Sequence, residues 1–500
     1  MYKSVCDVII SKEKTKKRCA VSQKSNLKTN PDACPLAKKC GGCQLQNMTY
    51  ERQLKWKQAR CEILLKKFGK VDKIIGMDNP YNYRNKVQAA FGRTKSGKII
   101  SGVYQSGSHR IVSVDSCMTE DKIADGIIVD IRNMLPRFKI WTYDEDKGTG
   151  FLRHVLVKRG FTSGEVMVVL VGASGFFPMK KKFTSELLKK HPEITTVVLN
   201  INPKNTNLVL GDKEEVLYGN GYIEDTLCGR IFRISPKSFY QINPVQTEKL
   251  YNKAMELAEL DENSSVLDAY CGIGTIGLVA AKTAGRVIGV ELNPDAVKDA
   301  IFNAKRNNVG NTYFYCDDAS DFMHKAADEG EKFDVVFMDP PRSGSTKKFI
   351  EALAVTNPKT VVYISCNPET LARDLEMLIR KGYKVKKICP VDMFPHTNHI
   401  ETVVLLSQRK ADAYIDIDLD LDELDITAAE SKATYDEIKE YVFNKFGLKV
   451  STLNIAQTKA KHGIIERECY NKGKDGHRVP NCPKEKENAI TDALKYFKMV

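Results

Sequence analysis

No run of apolar residues in this chain approaches the ~20 that a membrane-crossing helix needs, which excludes an ordinary span. The start, MYKSVCDVIISKEKTKK, lacks the apolar stretch of a secretory leader, so the cytoplasm is the expected address. No segment repeats at a fixed period, which excludes a repeat architecture. Acidic residues are in deficit, 63 against 77 Lys and Arg, for a net charge of +14. Seven of those acids fall within residues 412–425, where there is no Lys or Arg, so the other residues carry +21. A surplus of that size attracts polyanions, among which RNA and DNA are the commonest.

The chain has 500 residues, enough for three or four units. Its 42% apolar and 28% charged residues describe a soluble globular protein. The fourteen cysteines, in a reducing compartment, point to metal or catalytic thiols rather than to a disulfide framework.

Residues 1–33 are Lys-rich and weakly patterned, and read as a basic arm. Residues 34–235 begin with a cysteine cluster, continue through the helix-like QLQNMTYERQLKWKQARCEILLKKFG (44–69), and turn β-rich from about residue 80, with short alternating runs such as KVQAAFGR and EVMVVLVG. From 236 to 410, SSVLDAY, RVIGVEL, NTYFYC, FDVVFMD and TVVYIS alternate with helical stretches, the rhythm of a parallel sheet covered on both faces. YKVKKICPV and ETVVLLSQ are joined by MFPHTNHI, too short for a helical crossover, and are expected to pair antiparallel. Residues 411–429 read as an acidic linker and 430–500 as a small helical appendage. In that appendage TYDEIKEYVFNKFG and STLNIAQTKAKHG resemble a helix-turn-helix, with Lys459, Lys461 and Arg467 suited to phosphates. Cys469, Cys482, His462 and His477 form a poorly spaced zinc candidate.

LDAYCGIGTIGL follows a strand and opens a helix. Gly272, Gly274 and Gly277 fit a nucleotide-binding loop, and Glu291 ends the next strand where ribose hydroxyls would sit. Asp268 argues against a dinucleotide, because a pyrophosphate there would face a carboxylate. S-adenosylmethionine offers an ammonium and a sulfonium instead. Asp317 and Asp318 suit either the adenine amino group or a helix cap.

Ligands of open α/β sheets bind beyond the carboxyl ends of the strands. FDVVFMDPPRSG places Asp339 there and YISCNPETLARD places Cys366 there. The last strand runs backwards, so its first residue, Glu401, lies at the same edge. This set suits methylation of uracil carbon 5, which is not nucleophilic enough to act unaided. Cys366 would add to carbon 6, Glu401 would take the carbon 5 proton, and Asp339 would anchor the base edge. The target uridine would be single-stranded or flipped. YNYRNK (81–86) and FLRHVLVKR (151–159) offer cations and aromatics to grip it.

SPKSFYQIN, LDAYCGIGTIGL, DPPRSG, SCNPETLARD and FPHTNHIE together resemble the RNA 5-methyluridine methyltransferases, over roughly residues 34–408. The resemblance implies an α/β, Rossmann-like class I methyltransferase domain, a β-rich central domain carrying an iron–sulfur motif, and Cys366 and Glu401 as nucleophile and proton acceptor. It also implies that Gln241, Tyr270, Glu291 and Asp339 bind S-adenosylmethionine.

Cys34, Cys40 and Cys43 form C-x5-C-x2-C, and Cys117 is the candidate fourth ligand. Four thiolates suit zinc or an iron–sulfur cluster. Resemblance to the family members with CPLAKKCGGC-like motifs implies [4Fe–4S] and a 23S rRNA substrate. Residues 1–33 are too short for the small N-terminal β-barrel of longer members. A monomer is expected. The alternatives are a tRNA uracil-C5 methyltransferase and a non-catalytic RNA-binding ribosome-assembly protein.

Overall fold

The computed structural model describes residues 33–105, 108–204, 208–408, 435–462, 482–497 and 499. The basic arm up to residue 32 and the acidic linker lie outside the described residues, as do Arg467, Cys469 and His477. The chain divides into a unit ending at Asp412 and another beginning at Ala413.

Among the described residues, nine strands of the first unit precede residue 235: β1 (Lys86–Arg93), β2 (Ile99–Tyr104), β3 (Ile111–Ser113), β4 (Leu152–Arg159), β5 (Val166–Gly172), β6 (Ile194–Ile201), β7 (Lys213–Tyr218), β8 (Ile223–Leu227) and β9 (Arg230–Ile234). The first seven form one sheet in the order β3-β2-β1-β4-β5-β6-β7. Only β5 and β6 pair parallel in it, because the helix Lys180–Lys190 carries the chain back between them. β8 and β9 form a separate hairpin. Its two-residue turn, Cys228-Gly229, has φ of 50° and 69°, the left-handed pair that matches the twist of the flanking strands.

A second sheet follows: β10 (Ser265–Asp268), β11 (Arg286–Glu291), β12 (Thr312–Cys316), β13 (Val335–Met338), β14 (Thr360–Ser365), β15 (Tyr383–Val391) and β16 (Glu401–Gln408), ordered β12-β11-β10-β13-β14-β16-β15. β10 to β14 are parallel, and β16 is antiparallel to both β14 and β15, as the short link between β15 and β16 predicts. Val335, Phe337, Val362 and Val403 pack on one face, while Val336, Tyr363, Val361 and Val404 pack on the other. That period of two, with both sets buried, explains why these strands read as continuous apolar runs.

Two expectations change. FLRHVLVKR does not offer its cations to RNA, because β4 is a central strand with seven of its eight positions buried. Arg153 donates to the carbonyls of Asn202 and Lys204 and grips Glu145, while Lys158 Nζ donates to the carbonyls of Ser235 and Ser238. Burial pulls Lys158 down to about 7. In YNYRNK, Tyr83 and Asn85 are turned inward, donating to the carbonyls of Pro395 and Gln241, while Tyr81, Arg84 and Lys86 stay half-buried. The helix Tyr50–Leu65, read with the β-rich unit, packs instead against β15 and the helix Pro368–Arg380. The residues after it bridge Val71 to Ile388 and Ile75 to Val391, adding to the edge of the second sheet.

The second unit holds the helices Tyr435–Phe446, Thr452–Lys461 and Lys484–Tyr496 around Ile438, Val442, Ile455, Ile490 and Leu494. Two of its expected phosphate contacts are otherwise engaged: Lys459 is 2% exposed with its ammonium over the Tyr435 ring, and Lys461 pairs with Glu487. The zinc candidate has no described metal geometry: Cys482 is buried, and His462 Nε2 lies 3.1 Å from Thr491 Oγ1.

Candidate active site

The ladder between β14 and β16 ends at Ser365 opposite Thr402. Cys366 and Glu401 are the next residues outward on the two strands, so an antiparallel register places them side by side at the edge where the parallel strands end. Asp339 follows β13 at that same edge, and Asp268 and Glu291 are the last residues of β10 and β11. Charge effects agree with that proximity. Burial raises the free Cys366 thiol to about 11, with the carboxylates of Glu401 and Asp339 adding and the Arg342 guanidinium opposing. Glu401, 4% exposed, is raised to about 8 by burial and then by Asp339, again opposed by Arg342. Burial raises Asp339 to about 7. One thiol and two carboxyls thus share a dry edge on which Arg342, the last residue of DPPR, is the nearby cation.

Asp268 is fully buried and raised to about 7 by burial. Its Oδ2 accepts the Gly277 N–H at 2.8 Å, and Oδ1 has no hydrogen-bond partner. The carboxylate therefore occupies the helix start where a dinucleotide's pyrophosphate would lie. The loop above it turns at Gly272 and Gly274, with φ of 55° and 82°. A Cβ at Gly272 would meet nothing within 4 Å, so the cradle is open, and Leu292 beside it is 67% exposed. Glu291 spans the rim: its Oε2 accepts the Gly272 N–H and its Oε1 the Asn293 N–H. Tyr270 packs against Phe349, and burial raises its hydroxyl to about 12. Gln241 is buried, after the 61% exposed Phe239. An unpartnered carboxylate oxygen beside an open glycine turn fits a cationic, phosphate-free ligand. Of the acid pair after β12, Asp318 caps the helix Ala319–Asp328, while Asp317 pairs with Lys325.

The helix Tyr50–Leu65 positions Glu401. It buries Gln53, Lys57, Cys61 and Leu65, a stripe repeating every four residues. Lys57 Nζ bonds Asp392 Oδ1 at 2.6 Å and the Phe394 carbonyl at 2.9 Å. Gln53 accepts the His396 N–H at 2.8 Å, and its Nε2 lies 3.1 Å from His396 Nδ1. His396 Nε2 faces the Pro80 carbonyl at 3.0 Å, which assigns the proton to Nε2 and makes Nδ1 the acceptor. The cysteine loop adds two bonds, Leu45 N to the His396 carbonyl and Asn398 N to Gln44 Oε1. The connection that delivers Glu401 is thus held from outside its own sheet. Replacing Lys57 by Met should destabilise the protein by about 3–5 kcal/mol in urea titrations, because Asp392 is left buried without its cation, and adding Asp392→Asn should recover part of that loss.

Sequence reasoning did not single out three features. Asp374, fully buried, accepts from Tyr363 OH and the Ser345 N–H, and Arg373 donates to the Ser343 carbonyl, fastening the DPPRSG turn. The signal was the Arg-Asp pair closing SCNPETLARD. Arg342 and Phe239 each lay inside a quoted motif, but their exposure is visible only in the fold.

The other cluster is also drawn together. Cys43 is raised to about 12 by burial first, then by Cys117, with Cys40 and Cys34 adding, so Cys117 is a near neighbour despite its distance in sequence. Among the described residues, no three Cys, His, Asp or Glu side chains stand in a metal-holding arrangement.

The sheet order, the glycine turn and the acid-lined edge define a class I methyltransferase. A profile of the tRNA (Uracil-5-)-methyltransferase family matches residues 49–409. An uncharacterized RNA methyltransferase of Bacillus cereus is 43% identical over 380 residues, covering 75% of this chain and 82% of the relative. One from Clostridium acetobutylicum is 42% identical over 395 residues, covering 78% and 85%. The crystal structure of Pyrococcus abyssi tRNA (uracil-54, C5)-methyltransferase with S-adenosyl-L-homocysteine superposes with a TM-score of 0.62 at 29% identity, covering 73% of this chain and 85% of that one. The chain belongs to the tRNA (uracil-5-)-methyltransferase family, whose members are S-adenosylmethionine-dependent RNA methyltransferases. Among the described residues, no helix is long and apolar enough to cross a membrane.

Proposed function

We propose that the protein methylates carbon 5 of a uridine in 23S rRNA. The observation that carries this reading is the juxtaposition of Cys366 and Glu401 just beyond the Ser365–Thr402 pair. The Cys366 thiolate forms a bond to uracil carbon 6, which moves electron density to carbon 5. Carbon 5 takes the methyl group, which S-adenosylmethionine would supply as its sulfonium C–S bond breaks and the electron pair stays on sulfur as a neutral thioether. Glu401 then removes the carbon 5 proton, and the returning electron pair expels the thiolate. Asp268, Glu291, Gln241, Tyr270 and Asp339 hold the methyl donor, and Phe239 offers a bare ring on which the uracil stacks. Burial and like charge keep both reacting groups protonated in the ligand-free site. The cationic donor and Arg342 favour their ionised forms once the site fills.

In this reading Cys34, Cys40, Cys43 and Cys117 would hold a [4Fe–4S] cluster, supported by the effect of Cys117, Cys40 and Cys34 on the free Cys43 thiol, although the four do not stand in a metal-holding arrangement in this structure. A cluster there would serve structurally, holding the loop whose Leu45 and Gln44 bond to His396 and Asn398. Iron and acid-labile sulfide analysis of anaerobically purified protein tests this: zinc alone, or neither element, would remove it.

A tRNA substrate is the second reading, favoured by the likeness to the Pyrococcus abyssi enzyme. Labelled S-adenosylmethionine with unmodified 23S rRNA or unmodified tRNA separates the two. Label in 23S rRNA alone is expected. Label in tRNA alone would transfer the assignment to tRNA, and RNA binding without label in either would favour an assembly protein.

A further inference from the structure

The central sheet carries a groove of about 1120 Å³ at the end of β1 farthest from the candidate active site, larger than the ~300–1,000 Å³ usual for small-ligand pockets. Two of its rings are bare: Trp141 is 64% exposed and Phe176 78%. The Arg93 guanidinium lies 4.3 Å from the centre of the Trp141 ring. Arg93, Lys95, Arg110 and Lys139 are all exposed on the lining, and among the described residues no carboxylate pairs with them. Acids on the same rim are largely taken up by neighbours. Glu145 accepts from both Nε and Nη2 of Arg153, and Asp144 accepts the N–H of Asp146 and of Lys147 and pairs with the Lys147 ammonium, leaving Asp146.

Bare aromatic faces beside unneutralised cations are the requirements for single-stranded nucleic acid, whose bases stack and whose phosphates need charge. The core of a protein-binding patch is instead depleted of charge. We propose that this groove binds single-stranded RNA flanking the target uridine on the same substrate molecule, stacking bases on Trp141 and Phe176. The proposal rests on the uridine-methylation reading. At the other end of β1, Asn85 donates to the Gln241 carbonyl. From Asn85 to Arg93 the strand spans about 26 Å at ~3.3 Å per residue. That distance corresponds to roughly eight stacked nucleotides at ~3.4 Å each, so a short RNA cannot fill both places.

Trp141 reports on its own occupancy once Trp56, the other tryptophan, is replaced by Phe. A single-stranded RNA of about 30 nucleotides, titrated into Trp56→Phe protein, should quench the Trp141 emission. Trp141→Ala with Phe176→Ala should raise KM for an unmodified 23S rRNA transcript between roughly 10- and 100-fold while kcat stays nearly constant, and should leave a fragment of about six nucleotides unaffected. Both side chains are exposed, so the variant is expected to fold. Lys95→Glu and Arg110→Glu should each reduce the salt dependence of long-RNA binding by the equivalent of about one phosphate contact. Unquenched Trp141 together with an unchanged KM would overturn the groove, even where methyl transfer proceeds. Absence of methyl transfer to any RNA would overturn the uridine reading instead, while quenching by the long RNA would still decide for or against the groove.

Discussion

Cys366→Ala should fold and bind S-adenosylmethionine, yet lose methyl transfer by a factor on the order of 10⁴ or more, the scale seen when a covalent nucleophile is removed. Cys366 is only half-buried and follows the ladder rather than lying within it, so losing its sulfur should hardly change stability. Without the sulfur, the described groups left at this edge are far poorer nucleophiles toward carbon 6. Glu401 and Asp339 are carboxyls and Arg342 is a cation. Labelled methyl transfer by the purified variant, with cofactor binding measured by calorimetry, checks the expectation. Retained transfer would mean that the reaction proceeds without a covalent adduct.

Glu401→Gln should produce a different failure. Attack by Cys366 and methylation of carbon 5 remain possible, but the carbon 5 proton has no acceptor, so a covalent protein–RNA complex should accumulate while turnover falls by about 10²–10⁴. A denaturing gel with labelled RNA shows the complex directly. The same variant has a signature independent of catalysis. Glu401 is raised from 4.5 to about 8 in the folded protein, so wild-type stability from this group is fully present below pH ~4.5 and is lost as pH rises through 8. Gln does not titrate. Glu401→Gln should therefore match the wild type in acid and exceed it above pH 8 by up to ~5 kcal/mol, because each tenfold gain in proton affinity on folding is worth about 1.4 kcal/mol. In the wild type, kcat/KM should climb through about pH 8 as the free enzyme's Glu401 ionises.

What was legible in the sequence followed from rules about strand ends. Cys366, Glu401 and Asp339 could be placed together because a short link forces β16 to run backwards and because parallel strands deliver chemistry at one edge. Asp268 could be read against a dinucleotide for the same reason, and its bond to Gly277 N–H supplies the geometry. What was not legible depends on partners more than 300 residues apart. Nothing in QLKWKQARC says that Lys57 will meet Asp392 or that Gln53 will meet His396, since periodicity locates a buried face but not its partner. Lys158 and Arg153 misled for a related reason. Composition treats a cation as exposed, whereas here backbone carbonyls from distant turns satisfy each one inside a central strand. The groove at Trp141 was invisible because its parts come from β1, from residues 139–150 and from residues 174–178.

The central claim, sulfur bonded to the pyrimidine ring at residue 366, is tested most directly with RNA in which 5-fluorouridine replaces uridine. Fluorine cannot leave carbon 5 as a cation, so the reaction halts after methyl transfer with the protein still attached. Tryptic digestion and mass spectrometry of the wild-type adduct should place one methylated fluorouridine on Cys366, within the peptide Thr360–Arg373. A methylated product with no adduct, or an adduct on any other residue, would contradict the account.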